Sequence, residues 1–230
     1  MDIKEIYEKK YGAFVSLPGY QQEKEYCGRI IQWMKRINLW PVERNTYLDA
    51  GCGFGLKTYI FSNHFNCSEG IDFSRNVIEV CKLLNDKPDT LSFSVQEIEN
   101  CREQKYNLVT AFGLSYFNLD DIEELSSRIA NLALKLLEKD GTMLITTRKG
   151  PANAPDTGWH NHSGSSIKKI KKQLQHKLAG RHIAIIAPDE SMPYLTSGNI
   201  LQITGSLRKI IFNRPRDLFI IIKNGQEPSN

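Results

Sequence analysis

The sequence predicts an α/β protein in which a mostly parallel sheet carries helices on both faces. Two observations predict it. After Pro41, apolar runs of strand length alternate with stretches whose apolar residues recur at helical spacing. The first such run, Tyr47-Leu48-Asp49-Ala50, ends in a dense glycine cluster, and a helical stretch follows at once. Strands separated by helices pair in parallel through right-handed crossovers.

The elements follow in order. The opening forty residues read as an N-terminal helical cap (1–40) ahead of one domain spanning 41–230. Within the cap, Leu17-Pro18-Gly19 separates a short helix holding Ile3, Ile6 and Tyr7 from a longer one. In the longer one Tyr26, Ile30, Trp33, Met34 and Ile37 share one face. Then come a helix from Lys57 to Asn63, a strand Ser68–Asp72, and a helix carrying Val77, Ile78, Val80, Cys81 and Leu84 with Ser74 as its N-cap. Leu91–Val95 and Tyr106–Phe112 read as the third and fourth strands. A long helix from about Asp120 to Leu137, stopped by Lys139-Asp140-Gly141, leads to a fifth strand, Thr142–Thr147. Residues 151–166 form a loop rich in Gly, Pro, Ser and Asn, and Ile167, Ile170, Leu174 and Leu178 mark a basic helix. His182–Ala187 and Asp217–Lys223 close the sheet, with 188–215 open between helix, hairpin and lid.

With 230 residues, 40% hydrophobic and 24% charged, the chain has the composition of one ordinary globular domain. The N-terminus has no secretory apolar run, and no segment approaches the roughly 20 apolar residues of a membrane span, so cytoplasmic is the default. Five scattered cysteines without a Cys-x-x-Cys pair argue against a disulfide framework and against a zinc site. Residues 1–150 carry 19 Lys+Arg against 21 Asp+Glu, whereas 151–230 carry 11 against 5. That basic remainder suits an anionic partner or is simply a solvated surface.

Chemistry concentrates in Asp49-Ala50-Gly51-Cys52-Gly53-Phe54-Gly55. A strand running into closely spaced glycines and then a helix lets a ligand approach the backbone. A P-loop requires Gly-x-x-x-x-Gly-Lys-Ser/Thr, and Lys57-Thr58 is out of register for it. A dinucleotide turn puts its third glycine at position 56, where Leu56 stands.

The pattern Asp49-x-Gly51-x-Gly53-x-Gly55 resembles the first motif of the class I (Rossmann-like) S-adenosylmethionine-dependent methyltransferases, and the resemblance runs on for about a hundred residues. Gly70-Ile71-Asp72-Phe73-Ser74 resembles that family's second-strand ending, whose acid takes both ribose hydroxyls, a task that suits Asp72. Phe73 either stacks near adenine or covers the sheet. Phe93-Ser94-Val95-Gln96-Glu97-Ile98 resembles the third-strand ending, where Glu97 and Ile98 would meet the adenine, although the family often has Gly-Asp there. Tyr106-Asn107-Leu108-Val109-Thr110-Ala111-Phe112 resembles the fourth strand, and Leu136-Leu137-Glu138-Lys139-Asp140-Gly141-Thr142 the turn before the fifth.

The resemblance implies a seven-stranded sheet with an antiparallel C-terminal strand, and S-adenosyl-L-methionine as methyl donor. Its cofactor-binding residues would be Asp49, Gly51, Cys52, Gly53, Gly55, Asp72, Phe73, Glu97, Ile98 and Phe112. Cys52 reads more naturally as a small packing residue than as a nucleophile. Transfer to an oxygen, or to a protonated amine, needs a base near the carboxyl ends of the strands. His160 and His162, two apart in a loop just past the fifth strand, would share a face in extended chain, and Tyr116 after the fourth strand could line the acceptor pocket. The Asn/Asp-Pro-Pro-Tyr signature of base-amino methylation is missing at Phe112-Gly113-Leu114-Ser115. The basic helix Lys168-Lys169-Ile170-Lys171-Lys172 fits a solvated face better than an RNA grip. The expectation is therefore O- or N-methylation of a small molecule, with an RNA methyltransferase or a non-catalytic cofactor-binding protein as alternatives. No metal and no membrane partner is expected.

Overall fold

The computed structural model describes residues 12–150, 158–186 and 216–224. The helix expected at Ile3–Tyr7, residues 151–157 of the expected loop, Ala187 and the open segment 188–215 lie outside them.

Seven main strands form one sheet: β1 (Thr46–Ala50), β2 (Cys67–Asp72), β3 (Leu91–Val95), β4 (Tyr106–Ala111), β5 (Leu137–Lys149), β7 (His182–Ile186) and β8 (Arg216–Lys223). A two-residue strand, β6 (Asn161–His162), pairs with the end of β5. The order is β3-β2-β1-β4-β5-β8-β7. The pairs β1–β2, β1–β4, β2–β3 and β4–β5 are parallel, and β8 runs antiparallel to both β5 and β7. The winding direction reverses between β1 and β4. At such a switch point the loops leave in opposite directions and open a crevice at the carboxyl ends of the strands.

Helices α1 (Tyr20–Arg36), α2 (Leu56–Ser62) and α3 (Arg75–Leu84) cover one face, while α4 (Ile122–Leu136) and α5 (Gly164–Lys177) cover the other. β4 is buried along its whole length and Ile220–Ile222 of β8 are fully enclosed, as strands covered on both faces must be. The helix read from Tyr26 begins at Tyr20 in the structure, after Gly19 in left-handed conformation. Trp33 packs on Phe219 of β8, their ring centroids 5.7 Å apart, so α1 contributes to the core.

Two local expectations need correction. Ser74 stands at the N-cap position just before α3, as expected, but its side chain makes no capping bond; Asp72 Oδ1 accepts the Ser74 N–H at 2.9 Å instead. Lys139-Asp140-Gly141 does not stop α4, which ends at Leu136 and passes directly into β5. Tyr106 pairs with Leu137 and Leu108 with Thr142, so 138–141 bulge from the ladder. Gly141 fits there because a Cβ would sit 2.6 Å from the Tyr106 carbonyl oxygen. The N-cap of α4 is Asp121, whose Oδ1 accepts the Glu123 and Glu124 N–H groups at 2.8 and 3.1 Å.

Candidate functional site

The turn between β1 and α2 lies at the switch point. Gly51 and Gly55 have φ of 73° and 72°, a region costly for any residue with a Cβ. A Cβ on Gly51 would run into the Leu114 side chain, and one on Gly55 would meet Phe93 and Cys81 at 2.8 and 2.9 Å. Gly51 thus keeps the turn close to the loop after β4, and Gly55 seats it on the sheet. Gly53 points its N–H at Asp72 Oδ2, 3.1 Å away.

Six of the expected residues line one cleft of about 200 Å³: Gly51, Asp72, Phe73, Glu97, Ile98 and Tyr116. They come from the ends of β1, β2, β3 and β4, and Gln96, Glu99, Leu114 and Ser115 complete the lining. Phe73 is 71% exposed, a large aromatic face left bare at the mouth. The opposite rim is Tyr116, with Arg128 of α4 stacked 4.4 Å from its ring centroid and donating to its carbonyl at 3.1 Å.

The other expected residues sit elsewhere. Asp49 is only 2% exposed, and its two oxygens accept from Thr58 Oγ1 at 2.6 Å and Thr110 Oγ1 at 2.8 Å. Tyr47 hydroxyl meets the same Thr110 hydroxyl at 2.9 Å. Burial raises the Asp49 carboxyl above its ordinary range, with Thr58 and Thr110 pulling it back. Asp49 therefore supports the turn from beneath and has no face on the cleft. Cys52 and Cys81 both direct their thiols at the Gly53 carbonyl, 3.5 and 3.2 Å away. Hydrogen bonding with Cys81, then burial, pushes the Cys52 thiol well up, so it packs and does not attack. Phe112 leaves the cleft for the α2 face, with its ring 5.8 Å from Phe61 and Lys57 Nζ 5.8 Å from its centroid.

The two histidines do come together, with ring centroids 4.8 Å apart at a steep angle. They stand on or beside β6 rather than in a free loop. Asn118 fixes the segment at two points: its Nδ2 donates to the Gly158 carbonyl at 2.8 Å, and its Oδ1 accepts the His160 N–H at 2.7 Å. Trp159 between them reaches within 4.0 Å of where a Cβ on Gly113 would stand, at the end of β4. His162 is 0% exposed, and neither ring nitrogen has a hydrogen-bond partner. Burial, then His160, lowers its pKa to about 4, so it is neutral at physiological pH. His160 is half-buried at the open side of the pair. Burial raises the Tyr116 hydroxyl above its ordinary range against the pull of Arg128.

A family model described as a methyltransferase domain matches residues 42–199, more than two thirds of the chain and the whole run from β1 to β7. The chain belongs to the methyltransferase-domain family. Its motifs and its sheet, with one antiparallel strand between β5 and β7, make it a class I S-adenosylmethionine-dependent methyltransferase. Over 123 residues this methyltransferase is 30% identical to the mitochondrial ubiquinone biosynthesis O-methyltransferase of Candida albicans, a stretch that covers 50% of the present chain and 36% of that relative. The geranyl diphosphate C-methyltransferase of Streptomyces coelicolor superposes with a TM-score of 0.56 at 12% identity, covering 84% of this chain and 80% of that one. Phosphoethanolamine N-methyltransferase 2 of Haemonchus contortus gives 0.57 at 16%, covering 85% and 53%. These solved structures share the fold; they do not fix an acceptor. Among the described residues, no helix is long and apolar enough to cross a membrane, and no group of three or more His, Cys, Asp or Glu could hold a metal.

Sequence reasoning missed Leu114 and Ser115 in the methyltransferase's cleft, and Asn118 and Trp159 beside it. Leu114 and Ser115 follow β4 directly, and the switch-point rule alone would have nominated them. Asn118 carries no such signal, because its partners lie 40 and 42 residues away.

Proposed function

We propose that the chain transfers a methyl group to an oxygen or nitrogen of a small molecule, with the adenosyl half of the donor in the Gly51–Asp72–Glu97–Tyr116 cleft. The observation that carries this reading is the convergence of Gly51, Asp72, Glu97 and Leu114 from four strand ends on one cavity. The cleft suits an adenosine. Asp72 is a carboxylate with acceptor capacity beyond its two backbone bonds, Phe73 and Ile98 offer apolar faces, and Glu97 stands exposed beside them. Gly51 leaves the room a Cβ would fill. When bound, the donor supplies an electrophilic methyl on a sulfonium centre, and the protein supplies alignment and exclusion of water.

His160 is the proposed general base. It sits past the end of β5, pinned by Asn118, against a neighbour that stays uncharged. His162 is proposed to shape and position His160 rather than to carry the proton. An oxygen acceptor is supported by the name of the Candida albicans relative, of which this chain matches only part. An anionic acceptor is supported by the excess of 11 Lys+Arg over 5 Asp+Glu in residues 151–230.

The test is methyl transfer from labelled S-adenosylmethionine to phenolic, amine and nucleic-acid acceptor pools, in wild type and His160→Ala. Label in a small phenol or amine, lost in the variant while donor affinity is kept, is the expected result. Label in RNA alone, or donor binding without any labelled product, contradicts the reading.

A further inference from the structure

The amino ends of the strands carry a second cavity, of about 570 Å³, at the opposite end of the sheet from the cleft. Thr142 Oγ1 at the base of β5 donates to the Leu39 carbonyl, and Lys223 at the end of β8 donates to the Asn38 carbonyl at 2.9 Å, which fixes the location. Its walls are Lys35, Trp40, Val42, Arg44 and Lys223, with Asn38 and Pro41 at the edge. Three of these are cations and none is an acid. Asp140 faces Lys223 from outside the cavity, and Glu43 is on the same linker but not in the lining.

The arrangement is unusual for a merely solvated surface. Val42 is 83% exposed, and the Trp40 indole beside it is 8% exposed, with Lys35 Nζ 5.7 Å from its ring centroid. Trp40 Nε1 is buried without an acceptor. The cavity continues into a second one of about 410 Å³, sharing Val42 and Arg44 and adding Asn45, Asn63, His64 and Asn66. His64 stands edge-on to Trp40 at 5.7 Å. Burial, then Lys35, then Arg44, holds its imidazole below the ordinary range. Two cations thus converge on one ring with no carboxylate among the lining residues of either cavity. Such a field favours an incoming anion.

We propose that this groove binds a phosphate-bearing ligand with an apolar body, the phosphate between Lys35, Arg44 and Lys223 and the body on Trp40 and Val42. Lysine and arginine supply the charge-assisted bonds that phosphate oxygens accept, and an aromatic floor takes a flat or acyl body. A free nucleotide and a lipid headgroup present the same phosphate chemistry to this site.

The test follows the His64 imidazole by NMR through a pH titration of the full chain, with AMP, inorganic pyrophosphate or no ligand. Vesicles of phosphatidylglycerol and of phosphatidylcholine are compared by co-sedimentation. A bound phosphate is expected to raise the His64 pKa by about one unit. The exposed pair Lys35→Gln/Arg44→Gln is expected to weaken binding about tenfold or more while S-adenosylmethionine affinity and thermal unfolding stay unchanged. The same pair raises the His64 pKa without ligand, which verifies the field independently. Binding of phosphatidylglycerol alone assigns the phosphate to lipid, and binding of AMP assigns it to a nucleotide. If none of the four probes binds, or if the paired variant binds them as well as wild type, the proposal is overturned.

Discussion

Asp72 joins the second strand to the glycine turn: one carboxylate oxygen accepts the Gly53 N–H at 3.1 Å and the other the Ser74 N–H at 2.9 Å. The same carboxylate faces the cleft. Asp72→Ala therefore removes both the tie and the proposed ribose acceptor. Hydrogen bonds to a charged group contribute about 1.5–3 kcal/mol each. Donor affinity measured by calorimetry should fall at least about tenfold, and unfolding free energy should fall with it because both backbone ties are lost.

Gly51 and Leu114 define how near the turn comes to the loop after β4. Gly51→Ala should cost about 1–2 kcal/mol for its positive φ and also narrow the cleft through the clash with Leu114. Gly51→Ala/Leu114→Ala relieves the clash but not the backbone strain. Its donor affinity should recover further than its stability, which parallel calorimetry and urea unfolding would reveal.

The buried Asp49 makes stability depend on pH in a direction opposite to most carboxylates. Its folded-state pKa is raised by burial, so the folded state holds the proton more tightly than the unfolded one. The contribution is fully present below the unfolded value and is lost as pH rises through the folded one. Asp49→Asn should flatten that decline, and Thr58→Val should steepen it by removing a stabilising donor. Unfolding free energies across the acidic to neutral range check both.

His162 acts with the other sign. Its pKa is lowered to about 4, so the unfolded chain takes up a proton first as the pH falls from the ordinary histidine value near 6.5. Stability is complete above that value and is lost as the pH falls toward 4. Between pH 7 and pH 5 the loss should be about 2 kcal/mol. His162→Gln should remove that dependence; an unchanged slope in the variant would mean the imidazole is not buried neutral.

Asn118 tests the positioning of the base. Asn118→Ala frees both the Gly158 carbonyl and the His160 N–H. Turnover should drop about tenfold or more, as expected when a catalytic group loses its alignment, with donor affinity retained. A parallel fall in donor affinity would instead place this segment in the cofactor site.

Much of this was legible in the sequence where the chemistry is local. The strand ending at Ala50, the glycines, Asp72 and Glu97 all follow from patterns a few residues long, and the structure brings Gly51, Asp72 and Glu97 to one cleft. The inward turn of Asp49 was not legible, because its partner Thr110 is 61 residues away on a neighbouring strand. The burial of His162 depends on a two-residue pairing with β5 that no periodicity announces. The bulge at 138–141 hides in the same way: a helix stop and a strand irregularity share the residues Lys139-Asp140-Gly141. The basic groove at Arg44 joins the end of α1, the linker to β1 and the last strand, and only the fold unites them.

The most direct test of the central claim is the structure of the complex with S-adenosylhomocysteine. The ribose hydroxyls are expected on the Asp72 carboxylate and the adenine between Phe73, Ile98 and the Leu114–Tyr116 loop. A ligand bound away from Gly51, or one that leaves Asp72 tied only to Gly53 and Ser74, would contradict it.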